Sequence, residues 1–167
     1  MSTHASILIH DIERDVWLYR HSDGYPAECG ADIVEIVARA KSMDYVSTAC
    51  EVSNEFFRKL YPADMHGKVR PMYELTDGRD SVEEFYLIDL TERTIGYAHR
   101  PSWDSDERDE DDWTANPQRY TVAEFLDFVN RERSATNERV AHLKRTNPHN
   151  DRIQQTQPMP PVPPVNV

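Results

Sequence analysis

The chain has 167 residues, 30 of them acidic and 19 basic, for a formal net charge of -11. That length fits one domain able to bury its own core, so no disulfide or structural metal is required, and two cysteines, Cys29 and Cys50, are too few for a disulfide framework. The charge argues against direct, sequence-independent nucleic-acid binding, and no stretch approaches the roughly 20 apolar residues of a membrane span.

Residues 6–10 and 15–20 are short runs rich in β-branched and aromatic side chains, joined by Asp11-Ile12-Glu13-Arg14, and predict a β-hairpin. Strand alternation puts Val16, Leu18 and Arg20 on one face, and Trp17, Tyr19 and His21 on the other. Asp23-Gly24 and Pro26 then mark a turn. From Ala31 to Met43 the spacing of Ile33, Ile36, Val37 and Ala40 predicts a helix, with Asp32 in its first turn and Lys41 in its last. A second helix is expected from about Thr48 to Tyr61, opened by a Thr48–Glu51 capping box, lined by Ala49, Val52, Phe56 and Leu60, and stopped by Pro62. Three strands follow, over 69–75, 82–90 and 94–99, and read as an antiparallel meander. Thr121 and Glu124 open a third helix with Val122, Phe125, Leu126 and Val129 as its stripe; the stripe is interrupted over 134–137 before Val140 and Leu143.

Six of the eleven prolines fall after residue 146, where no aromatic occurs. The organisation expected is therefore an α+β domain over 1–146, with an acidic loop at 102–117, and a disordered proline-rich tail over 147–167. The element order β-β-α-α-β-β-β-α implies an antiparallel sheet of about five strands with helices packed on one face. The first residues carry neither a basic run nor an apolar one, so a cytoplasmic protein with reduced thiols is expected.

The segment with the most chemistry is Tyr19-Arg20-His21-Ser22-Asp23-Gly24-Tyr25-Pro26. His21 is the candidate proton shuttle, Asp23 is placed to orient it, Arg20 is suited to an anion and Tyr25 to stacking on a ring. The loop feeds a helix start, whose N–H groups receive anions, so Arg20, His21, Asp23 and Tyr25 are the candidate ligand-binding set for a nucleotide or other phosphate-bearing molecule. The alternative is ordinary turn chemistry, with Arg20 paired to Asp23 to pin the loop and Tyr25 packed on the helix. No nucleophile–base–orienter set is legible, so no catalytic residue is assigned.

The run Leu18 to Pro26, preceded by a hairpin and followed by Gly30 and a helix, resembles a group of small phage- and prophage-encoded proteins. Their loops share the tyrosine-arginine-histidine and aspartate-glycine-tyrosine-proline signatures, commonly with tryptophan where this chain has Ser22, and a later strand similar to residues 82–89. The resemblance covers roughly residues 5–100. It implies a viral or mobile-element origin, and therefore action in a host cytoplasm, without implying an activity.

Residues 104–112 hold seven carboxylates in nine positions, between Trp103 and Trp113. Such a run either stays solvated or imitates a phosphate backbone inside a basic groove. Trp103, Asp104, Asp106, Glu107, Asp109, Glu110, Asp111, Asp112 and Trp113 are accordingly the candidate partner-binding residues, and the partner expected is a host protein, perforce one with a cationic surface such as a nucleic-acid-binding protein. The run lacks the glycine and glutamate of a calcium loop, and no histidine or cysteine has zinc-finger or zinc-protease spacing, so neither metal nor cofactor is expected. Two functional classes stand beside the accessory-protein reading: a phosphate-ligand-binding or hydrolytic protein using the 19–26 loop, and a structural virion component whose proline-rich tail docks another protein.

Overall fold

The computed structural model describes residues 3–41, 48–63, 65–78, 82–100 and 113–164. Its elements are β1 (Ala5–His10), β2 (Asp15–Arg20), a single π-helical turn (Pro26–Gly30) running into α1 (Ala31–Lys41), α2 (Ala49–Phe57), β3 (Tyr73–Thr76), β4 (Glu84–Asp89), β5 (Thr94–His99), β6 (Gln118–Tyr120), α3 (Val122–Thr146) and α4 (Asp151–Gln155). The fold is α+β, but the sheet has six strands, in the order β3-β2-β1-β4-β5-β6. The extra strand is the three-residue β6, too short to show a period of its own. Every pairing is antiparallel except the central one between β1 and β4. That exception follows from where β3 goes. It adds to the outer edge of β2 rather than beside β4, so the chain returns past two strands and begins β4 at the same end as β1, with Ala5 level with both Arg20 and Glu84.

The alternation sorts the sheet into two faces. Ile7, Ile9, Leu18, Tyr86, Ile88 and Ile95 are buried beneath the helices. Against them pack Ile33, Val34 and Ile36 of α1, Val52 and Phe56 of α2, and Phe125 and Val129 of α3. Burying a side chain such as Phe125 contributes on the order of 1.5–3 kcal/mol. Gly30 allows α3 to approach this closely: a Cβ there would lie 2.8 Å from Val129 Cγ2.

Both capping boxes form. The Thr48 Oγ1 accepts from the Glu51 N–H at 3.3 Å while Glu51 Oε2 accepts from the Thr48 N–H at 2.8 Å, and Thr121 and Glu124 repeat the arrangement at the start of α3. Asp11, in the hairpin turn, accepts from the N–H groups of Glu13 and Arg14 and, through its other oxygen, from the N–H of Ala49 at 2.6 Å. These bonds, that from Ala49 foremost, hold the Asp11 carboxyl below its ordinary range. The turn thereby clamps the first residue of α2.

The stretch 134–137 interrupts the apolar stripe but not the helix: α3 runs unbroken for 25 residues, through Val140 and Leu143. The proline-rich segment, expected to be disordered, packs on this helix instead: residues 159–162 bond to α3, and Val162 is only 8% exposed within the core cluster. Polar side chains of α3 meet this tail: Asn137, within the interrupted stretch, is hydrogen-bonded to Met159, and Asn130 to Val162. No helix among the described residues is long and apolar enough to cross a membrane.

Candidate functional site

The strand alternation splits the candidate loop. Arg20, the last residue of β2, faces the helices and is 3% exposed. Its Nε donates to the Ser22 carbonyl at 2.8 Å, and its Nη1 donates to Asp32 Oδ2 at 2.7 Å and to the Tyr73 hydroxyl. Its guanidinium carbon lies 5.1 Å from the centroid of the Tyr73 ring. Tyr73 in turn donates to Asp32 Oδ2 at 2.7 Å, and Lys59 Nζ reaches Asp32 Oδ1 at 3.0 Å and Glu35 Oε2 at 2.6 Å. A continuous chain of polar contacts thus joins β2, β3, α1 and the segment after α2.

The electrostatics fit a structural knot. Burial disfavours the Arg20 charge, yet the negative groups around it outweigh burial and raise its pKa. Burial likewise works against an ionised Asp32, but the hydrogen bond from Tyr73 and the charges of Arg20 and Lys59 hold its carboxyl below the ordinary value. Burial pushes the neighbouring Cys29 thiol up to about 12, so it is neutral at physiological pH and Asp32 is the charged partner of Arg20. An anionic ligand would have to displace Asp32 from a guanidinium already committed on three sides.

The other three residues take no part in the hydrogen bonds of Arg20, although Tyr25 and Asp23 bond to each other. His21 points to the opposite face, where its Nε2 is 3.0 Å from Glu74 Oε2 and its ring meets that of Tyr19 edge-on at 4.8 Å. Asp23 is exposed and takes the left-handed backbone conformation (φ 55°) that its short polar side chain tolerates. Tyr25 is half-buried; burial first, then the nearby charges of Asp23 and Glu28, raise its phenol pKa. The helix start is also occupied, because Pro26 offers no N–H and the N–H groups of Glu28 and Cys29 both donate to the Tyr25 carbonyl. Gly24 serves by its size: its N–H donates to the Thr3 carbonyl at 2.8 Å, its carbonyl accepts from the Tyr86 hydroxyl at 2.8 Å, and a Cβ would lie 2.7 Å from the His4 carbonyl carbon. The loop's distinctive residues therefore fasten it to the residues just before β1, to β4 and to α1.

The acidic run is a different case. Trp103 and residues 104–112 lie outside the described residues, and Trp113, just beyond them, is half-buried.

One polar constellation escapes a reading of the sequence. Glu84 lies on the helix-facing side of β4, in line with Tyr86 and Ile88, and is almost fully buried. The Tyr97 hydroxyl donates to its Oε2 at 2.8 Å and His99 Nδ1 lies 3.0 Å from its Oε1. Burial raises the Glu84 carboxyl above its ordinary value, although both partners pull the other way. The His99 side chain is 60% exposed. Such a pair orients an imidazole whose ring stays largely open to solvent, as a general base requires. No hydroxyl or thiol among the described residues hydrogen-bonds the ring to complete a nucleophile. The signal available beforehand was a glutamate at an inward position of an apolar strand, flanked across the sheet by tyrosine and histidine.

Among the described residues, no group of three or more histidine, cysteine, aspartate or glutamate side chains is arranged to hold a metal ion. Two shallow depressions, of about 540 and 500 Å3, lie at the turn from α3 to α4 and along α3 itself; the 19–25 loop lines neither. Comparison with protein-family models finds no match, and neither the curated proteins nor the solved structures contain one.

Proposed function

We infer that this chain is a non-enzymatic accessory protein of phage or prophage origin that binds a host macromolecule, presenting its acidic segment to a basic groove of a nucleic-acid-binding protein. The observation that carries this reading is the concentration of charge. Residues 104–112 set seven carboxylates against one arginine and so hold six of the eleven excess negative charges in nine residues. Carboxylates at that density resemble the charge spacing of a nucleic-acid backbone, and electrostatic complementarity of this kind chiefly accelerates encounter and selects cationic partners. The resemblance of the 18–26 segment to small phage-encoded proteins supports the origin. The commitment of Arg20 to Asp32 and Tyr73 weighs against the competing phosphate-ligand reading.

The test is affinity capture from a bacterial lysate with the full chain and with a variant carrying Asp106→Lys, Glu107→Lys, Asp109→Lys and Asp111→Lys. Nucleic-acid-binding proteins retained by the parent should be lost with the variant and released from the parent by added duplex DNA. Identical retention by both chains, or retention indifferent to DNA, removes the acidic segment from the function.

A further inference from the structure

The tail that lies on α3 is held by an unusual pattern of contacts. Asn137 Oδ1 accepts from the Met159 N–H at 2.8 Å while its Nδ2 donates to the Met159 carbonyl at 2.9 Å. One turn pair earlier, Asn130 Oδ1 accepts from the Val162 N–H at 2.8 Å and its Nδ2 donates to the Val162 carbonyl at 3.4 Å. Each amide thus takes both main-chain groups of one extended residue, as a neighbouring β-strand would. Between them Arg133 donates through Nη1 to the Pro160 carbonyl and through Nε to the Ala27 carbonyl at 2.7 Å, locking the arrangement to the turn before α1.

The spacings match. Seven residues of α-helix advance about 10.5 Å, and three residues of polyproline II advance about 9.3 Å, so amides at 130 and 137 meet residues three apart on a polyproline helix. The sequence over 158–164 is Pro-Met-Pro-Pro-Val-Pro-Pro. Its only backbone donors are those of Met159 and Val162, and both are taken. With three residues per turn, Met159 and Val162 also share one face of the polyproline helix, and the Val162 side chain is buried among core residues. The polar contacts engage the main chain alone, so they demand an extended backbone with donors three residues apart, and the prolines at the other positions hold the backbone in that form. The contacts do not demand that the segment belong to this chain.

We propose that the α3 stripe of Asn130, Arg133 and Asn137 is a recognition groove for proline-rich peptides of the form apolar-Pro-Pro-apolar, and that this chain's own tail fills it until a partner protein bearing that pattern displaces it. The inference is independent of the acidic segment. A tethered tail competes at high effective concentration, so binding in trans is weak while the tail is seated and strengthens when the tail is released.

The experiment uses the full chain, the full chain with Val162→Asp to unseat the tail, and that variant with Asn130→Ala and Asn137→Ala added. The probe is a fluorescent synthetic peptide of residues 156–164, with a control in which methionine and valine stand two residues apart. The probe should bind the Val162→Asp chain at least tenfold more tightly than the parent, and the added asparagine substitutions should return binding to the parent level; the control should not bind. Met159→Asp replaces Val162→Asp should the latter lose its helical circular dichroism. In the parent, hydrogen exchange at the Met159 and Val162 amides should be slow, and fast after the asparagine substitutions alone. Absence of probe binding to both unseated chains, or binding indifferent to the asparagines, overturns the groove. A parent chain that sediments as a dimer and becomes monomeric on Val162→Asp overturns the partner assignment in favour of tail exchange between copies.

Discussion

Removing the Arg20 guanidinium would strand the Asp32 carboxylate and the Tyr73 hydroxyl in a site they cannot leave. Loss of one member of a buried ion pair typically costs about 3–5 kcal/mol, and Arg20→Ala should fall in that range in urea denaturation. A loss below about 1 kcal/mol, the value of an exposed pair, would return Arg20 to the list of groups free for a ligand. At Asp32 the folded-state pKa is depressed, so its contribution to stability is present above the ordinary value of 3.8 and is lost as pH falls through the lower folded value. Glu84 has the opposite sign. Its folded pKa is raised above 4.5, so the ionised form is disfavoured in the fold and stability is lost as pH rises from 4.5 through the folded value. Glu84→Gln should abolish that decline: the stability difference between parent and variant should change across this window, and parallel pH profiles would count against burial as the dominant effect. Placement of these residues was partly legible beforehand. The alternation that sets Arg20 beside Val16 and Leu18 already points it inward, whereas reading residues 19–26 as one loop gathers side chains that the strand sends to opposite faces. The side-chain partners of Arg20, Asp32 and Tyr73, lie 12 and 53 positions away, which no local spacing encodes.

Helix boundaries were the easiest elements to read, because a capping box is a local device. Thr121→Ala should cost about 1 kcal/mol and fray the first turn of α3, visible as faster amide exchange at residues 122–124. An unchanged exchange pattern would mean that packing of Val122 and Phe125 alone fixes that end. The far half of α3 gives a weaker signal: Asn137 meets Met159, 22 positions further on, and an apolar period cannot register such a contact. The brief β6 was lost for a related reason. Three residues at a sheet edge owe their conformation to pairing with β5, not to any propensity of Gln118-Arg119-Tyr120.

For the molecule as a whole, an excess of eleven negative charges sets a standing repulsion against the scattered ion pairs at the surface. Screening lengths shrink from roughly 30 Å at 0.01 M salt to about 8 Å at 0.15 M, so the long-range repulsion is damped before contacts such as Arg20–Asp32. Melting temperature should therefore rise with sodium chloride over that interval; a fall would show that exposed pairs outweigh the net charge. The α+β class and the single helical face were legible from element order, but the sheet's direction at its centre was not. Directions follow from which edge β3 chooses, a choice made by Tyr73 and its contacts with Arg20 and Phe56.

That central β1–β4 pairing also governs when the fold can be finished. Ala5 waits for Glu84 and His10 for Asp89, so during synthesis the amino-terminal hairpin emerges with a bare strand edge that β4 cannot cover until synthesis has passed Asp89. Contacts so distant in sequence form slowly, and an uncovered edge is what other strands seek. The chain is therefore most exposed to misassociation while it is being made.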